Sequence, residues 1–340
     1  MRRRSLVATA ALLLASTVAS ACPLCAGTAA RTPAQDLEEL SHAVLAVPQG
    51  RHYRVVARVK GTQTDALLDE VVVRGSAPVD QALLLVRDDS WPTWVSLGPI
   101  RAQHAPLLRG LASGRPADAD LAAWRRRLDL AIPHLESPED LLAEIAYAQC
   151  AAAPYAAMRA ARAKLDARAL RAWVNDPARG ARHPLYILLL GIAGDTTLDA
   201  AGIEAQLANP LRARSSTNLS ALIAADLELR GASQVAWVED HFLRNSSRDT
   251  AEVRAALLAL SVQANSGGPI SRRRVIEAYR VFMRAHEDMA GFVAPDLAAW
   301  GYWEAAPEFA AILESNVRQH ADSRAAIVAY LRQSPRRGSE

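Results

Sequence analysis

Along the chain the apolar positions follow two rhythms. Between residues 43 and 97 they come in short runs: Ala43-Val-Leu-Ala-Val47, His52-Tyr-Arg-Val-Val-Ala-Arg-Val59, Val71-Val-Val-Arg74, Ala82-Leu-Leu-Leu-Val86 and Trp94-Val-Ser-Leu97. Pro-Gln-Gly, Lys-Gly-Thr and Asp-Asp-Ser part them. β-branched and apolar runs with such punctuation predict strands. Together they predict a small barrel or curled sheet, with a short helix ahead of it over residues 36–42.

From about residue 117 the texture changes to Ala, Leu and Arg at helical spacing. Ser137-Pro138-Glu139-Asp140 reads as a helix start, with Ser as the cap and Pro at the first helical position. Asp249 with Glu252 repeats the capping-box logic. Behind it Val253, Ala256, Leu257 and Leu260 fall at i, i+3, i+4 and i+7, one face of a helix. Pro154 and Pro307 each follow one helical run and open the next.

First helices recur around Glu144-Ile-Ala-Tyr147, Leu188-Leu-Leu190, Leu222-Ile-Ala-Ala225, Leu257-Leu-Ala-Leu260, Leu297-Ala-Ala-Trp300 and Ile327-Val-Ala-Tyr330. Second helices are predicted over 155–165, 198–207, 234–243, 273–284 and 308–314. The repeat, about 30 to 45 residues, is that of two-helix solenoids, whose hairpins bury their apolar faces only by stacking. An irregular helical bundle is the alternative. The expected class is mainly α with a small β domain: a short-stranded barrel or sheet within 22–110, an α-solenoid over 117–334, and a flexible tail over 335–340.

The N-terminus has a different pattern again. Arg2, Arg3 and Arg4 precede the apolar run from Leu6 to Val18 and then Ala19-Ser20-Ala21. A cationic start, a short apolar core and an A-x-A ending make a secretory signal over residues 1–21. The run is short of the roughly 20 residues that cross a bilayer. Cleavage after Ala21 leaves Cys22 first, and the same residues loosely fit a lipoprotein signal that acylates that Cys. The chain is therefore expected to be exported to the periplasm, either free or lipid-anchored, with membrane contact only through the signal or an acylated Cys22.

Charge changes once the leader is set aside. Lys and Arg number 39 against 36 Asp and Glu, and the excess of three is the leader's own arginines. The balanced remainder argues against a nucleic-acid partner. Three cysteines, Cys22, Cys25 and Cys150, meet an oxidising compartment, where a Cys22–Cys25 or Cys25–Cys150 disulfide is permitted.

Cys22-Pro23-Leu24-Cys25, the strand Tyr53-Arg-Val-Val to Val59-Lys60-Gly61 and the strand Leu83-Leu-Leu-Val86 resemble a group of uncharacterised exported bacterial proteins. In these a Cys-Pro-x-Cys start precedes a small sheet and a helical-repeat domain. The Val-Lys-Gly strand ending resembles netrin and tissue-inhibitor OB domains, although those begin Cys-x-Cys. Residues 137–334 resemble HEAT repeats. None of these resemblances implies a catalytic residue.

Candidate chemistry is sparse. Cys22 and Cys25 have the C-x-x-C spacing of thiol–disulfide exchange, but at a processed end the pair reads first as a structural disulfide or lipid attachment. Eight histidines are scattered without metal-ligand spacing, so no metal and no cofactor is expected. His286-Glu287-Asp288 reads as a helix end. Asp226 falls within an apolar stripe, at i+7 from Leu219, where a bare carboxylate is very costly; it is either a groove acid or a buried structural partner. Trp300, Tyr302 and Trp303 around Gly301 are either core or a surface on which a peptide stacks. No G-x-S-x-G, Walker or G-x-G-x-x-G motif occurs.

The leading expectation is a non-enzymatic exported protein that binds a protein or peptide on its helical surface. A periplasmic thiol oxidoreductase and an exported hydrolase using acids such as Asp226 are the alternatives. Intact-mass measurement on protein from its native host is expected to show residues 1–21 removed. A mass retaining the leader would refute export.

Overall fold

A computed structural model describes residues 31–62, 65–73, 81–315 and 317–335. The expected leader, Cys22, Cys25 and nearly all of the expected tail lie outside the described residues. The strands are β1 (His42–Gln49), β2 (His52–Lys60), β3 (Leu67–Leu68), β4 (Val71–Val72), β5 (Ala82–Arg87) and β6 (Trp94–Ile100), in the order β3-β2-β1-β5-β6-β4. Every pairing is antiparallel except β4 with β6.

That order dictates curvature. β3 and β4 are the two edges, yet only Asp69 and Glu70 separate them in sequence. The three Cα steps from Leu68 to Val71 span at most about 11 Å, whereas a flat sheet of this many strands is about 24 Å wide. The sheet must curl until its edges nearly meet. With β3 and β4 taken as one strand that changes partner at the seam, the result is an OB-like barrel.

Val44, Ala46, Leu68, Leu83, Leu85 and Trp94 fill the barrel interior. Alternate residues of the same strands, Ala43, Leu45, Leu84 and Val86, face the other way into the core shared with the helices. β1 and β5 are thus buried on both faces, which is why they read as unbroken apolar runs rather than alternating ones. On β2, Arg54, Val56 and Arg58 are exposed.

The helix α1 (Pro33–Glu39) begins earlier than its predicted 36–42. Thr32 and Gln35 form a capping box with Pro33 at the first position, and His42 belongs to β1. After β6 come α2 (Ala105–Leu111), α3 (Leu121–Ala131), α4 (Asp140–Ala152), α5 (Tyr155–Ala160), α6 (Ala167–Val174), α7 (His183–Ala193) and α8 (Leu198–Ala213). These are followed by α9 (Leu219–Arg230), α10 (Gln234–Val238), α11 (Thr250–Asn265) and α12 (Arg272–Ala285). The last three are α13 (Ala294–Ala299), α14 (Ala306–Glu314) and α15 (Ala321–Gln333). The predicted first helices are α4, α7, α9, α11, α13 and α15; α6 is an additional helix that the repeat pattern did not anticipate. Among the described residues no helix is long and apolar enough to cross a membrane.

The helical stack centres on α9, which packs against α7, α8 and α11. Leu219, Leu222, Ile223, Leu227 and Leu229 point in different directions around this helix, and all are buried, as expected of a helix covered on every side. The α7–α9 approach needs Gly191: a Cβ there would lie 2.7 Å from Ala225 Cα.

Arginines clamp the carboxylates that this stacking buries. Arg171 of α6 grips Asp199 of α8 with two bonds, 2.6 and 2.9 Å, which holds the Asp199 carboxyl below its ordinary pKa. Arg274 of α12 reaches Glu239 at 2.6 Å, joined by Arg244 at 2.9 Å. Glu252, in the capping box foreseen with Asp249, also holds Arg248 at 2.8 Å. Arg127 of α3 donates to Glu38 of α1, Gln149 of α4 and the carbonyls of Leu111 and Ser113.

The barrel meets the helices at Glu139. The sequence suggests that Ser137 caps α4, but the helix begins only after Glu139, and Ser137 Oγ instead accepts the Glu139 N–H at 3.2 Å. The freed carboxylate turns back to the end of β6, accepting from Arg101 N–H at 2.8 Å and contacting His104 Nε2 at 2.8 Å. Burial pushes the Glu139 carboxyl up, but these donors outweigh it and the net shift is downward from 4.5. His134 stacks edge-on to His104; burial, then the neighbouring His104, lower its pKa from 6.5.

Two outcomes follow from the packing. Gly191→Ala is expected to cost about 1–3 kcal/mol through overpacking, read as a lower denaturation midpoint. Both junction groups have depressed folded pKa values, so their stabilisation is present above the unfolded values and lost as pH falls. Denaturation midpoints should therefore decline below pH 6.5 as His134 charges, and again below 4.5 as Glu139 protonates. Glu139→Gln is expected to shrink the lower step, leaving the share owed to other depressed carboxylates such as Asp199, and to keep the upper one.

Candidate functional site

One edge of α11 borders open space beside the core, with Arg254 and Asn265 exposed and Leu257 and Val262 still within the core. Arg254, Leu257, Leu258, Ser261, Val262 and Asn265 recur at helical spacing and floor two adjoining cavities of about 400 and 650 Å³. Leu258, Ser261 and Asp296 line both, so the two form one continuous groove. From Arg254 to Asn265 the floor runs about 17 Å along the helix, room for about five residues of extended chain.

The walls are helix starts. Ala119 and Leu121 stand at the start of α3, Pro154 and Tyr155 at α5, Pro295 and Asp296 at α13, and Asp322 at α15. Two of these walls are pinned. Arg159 of α5 donates to Glu228 of α9 at 2.7 Å and to the Gly267 carbonyl at 3.2 Å. The α15 wall depends on Gly291, where a Cβ would lie 1.9 Å from the Ser323 carbonyl oxygen. The Gly291 N–H also donates to Ser323 Oγ at 2.9 Å.

The polar groups of the groove are few. Tyr279 OH donates to Asp296 Oδ2 at 2.7 Å; burial, reinforced by that carboxylate, pushes the phenol well above its ordinary pKa. Arg254 lies 4.7 Å over the Phe292 ring. Asn265 accepts from Trp300 Nε1 at 2.8 Å, and Trp300 stacks on Tyr279 at 5.7 Å. An apolar floor with a few placed polar groups, at this volume, is the chemistry of a binding cleft. Among the described residues no three His, Cys, Asp or Glu side chains are grouped to hold a metal ion.

The structure does not gather the four residues marked out as groove candidates into one place. Asp226 is only 1% exposed and lines neither groove cavity. It accepts from Gln234 and pairs with Arg230 Nε at 2.9 Å, and burial raises its pKa despite Arg230. It is a buried partner at the end of α9. Trp300 borders the groove through Asn265. Tyr302 and Trp303 line a separate hollow with Pro307 and Leu331, and Trp303 packs 5.0 Å from Tyr330. Among the described residues Cys150 is buried with no disulfide partner, and burial raises its thiol pKa to about 12.

Sequence reading missed Leu258, Ser261, Val262, Phe292, Asp296 and Asp322. The signal was a second stripe on α11, from Arg254 through Leu258 and Ser261 to Asn265, beside the core stripe through Val253, Ala256, Leu257 and Leu260. That both stripes exist is visible in the sequence. Which of them stays open is not.

No protein-family model, curated protein or solved structure matches the chain.

Proposed function

We propose that this is an exported protein that acts by binding, holding an extended segment of a partner protein in the groove along α11. The observation that carries this reading is the groove itself: the α11 stripe leaves Leu257, Leu258 and Val262 at the floor of a pinned cleft as long as a short peptide. Stacked helical hairpins generate such surfaces as a by-product of their architecture, and rigid walls spare the ordering cost of binding. The leader over residues 1–21 supports export, with the partner in the periplasm or at the cell envelope. Asp226, the acid named for the hydrolase alternative, pairs with Arg230 and Gln234 away from the groove.

A photo-crosslinking residue at position 258, in the full chain expressed in its native host, is expected to capture one partner. Peptide mapping should place the adduct in a single short segment. The same residue at position 273, on the outer side of α12 where Arg273 is 91% exposed, should capture nothing comparable. Equal labelling from both positions, or none from 258, would overturn the proposal.

A further inference from the structure

The groove is polar in one sense only. Of the charged side chains lining it, Asp118, Asp296 and Asp322 are acidic and Arg254 alone is basic. Arg254 lies against Phe292 and keeps its charge, so the acids still outnumber it, while Asp118 lies 3.8 Å from Arg115. That leaves Asp296 and Asp322 on the walls of the smaller cavity, with Asp296 at the seam between the two.

Both acids sit in the first turn of a helix, where a carboxylate offsets the positive end of the dipole. That role accounts for only part of their charge, because a helix start is worth about half a unit against a full negative charge. Neither side chain caps its helix: among the described residues α13 and α15 have no side-chain cap bond. Tyr279 holds Asp296 through Oδ2, which fixes the carboxylate and leaves Oδ1 for a ligand. Asp322 forms no ion pair or hydrogen bond among the described residues. The apolar floor beneath them, Leu257 and Leu258, suits an aliphatic stem, and the acids above suit a cationic head, the two halves of a Lys or Arg side chain.

Resting on the docking reading above, we infer that the groove selects a segment with a basic side chain seated between Asp296 and Asp322 and flanked by small aliphatic residues. The carboxylates are specificity-determining: they read the charge, while the floor supplies affinity that does not depend on it.

The test uses the whole mature chain and three labelled pentapeptides blocked at both ends: Ala-Leu-Lys-Leu-Ala and its Gln- and Glu-centred counterparts. Binding is followed by fluorescence anisotropy. The Lys probe is expected to bind about tenfold tighter than the Gln probe, the yield of one charge-assisted contact, and the Glu probe weakest. Asp296→Asn and Asp322→Asn should each erase most of that preference without changing affinity for the Gln probe. Asp296→Asn keeps an acceptor for Tyr279, so an unchanged thermal melt separates lost selection from lost fold. Leu258→Arg, blocking the floor, should abolish binding of all three. If Leu258→Arg abolishes binding but the probes bind alike, or the Glu probe binds best, the charge inference fails and the groove reading survives. If Leu258→Arg changes nothing, or no probe binds, both fail.

Discussion

Everything in the helical region depends on one constraint: α9 has no solvent face. A helix buried all round needs neighbours on every side, and α7, α8 and α11 supply them. Their approach is limited by side-chain bulk, so the contact with α7 uses Gly191 against Ala225. Once α11 is seated on α9, its core stripe is fixed, and with it the direction in which its other stripe points. The groove is a consequence of that seating.

Stacking of this kind buries polar groups as well as apolar ones, and the chain resolves this with arginine. Asp199, Glu239, Glu252 and Glu38 would be costly as bare charges, and each is held by a guanidinium from another element or an adjoining turn. Arginine suits the task because its planar fork matches a carboxylate with two bonds and is more weakly hydrated than an ammonium. The composition shows the bias plainly, since Lys60 and Lys164 are the only lysines. The clamps explain it: they link α6 to α8, α12 to the turn after α10, and α3 to α1. They set the register of the stack as well as neutralising charge.

The barrel is joined to this stack by the same means. The outer faces of β1 and β5 enter the helical core directly, and Glu139 ties the end of β6 to the start of α4. A Glu placed in sequence like a helix-start acid is diverted because the backbone N–H of Arg101 and the His104 ring offer partners at the end of β6. Local propensity favoured a cap, and a tertiary hydrogen bond displaced it.

What the sequence determined by itself was the element type and the division of labour. Two-sided apolar runs made strands, 3.6-residue stripes made helices, and the Asp249–Glu252 capping box stands as written because its partners lie within one turn. Local chemistry can be read where the interacting groups are close along the chain. The closing of the barrel edge, the open stripe on α11 and the placing of Asp296 and Asp322 on one cavity were decided by tertiary structure. Each depends on groups distant in sequence arriving at one place, and a hydrophobic pattern records that a face is apolar without recording what will cover it.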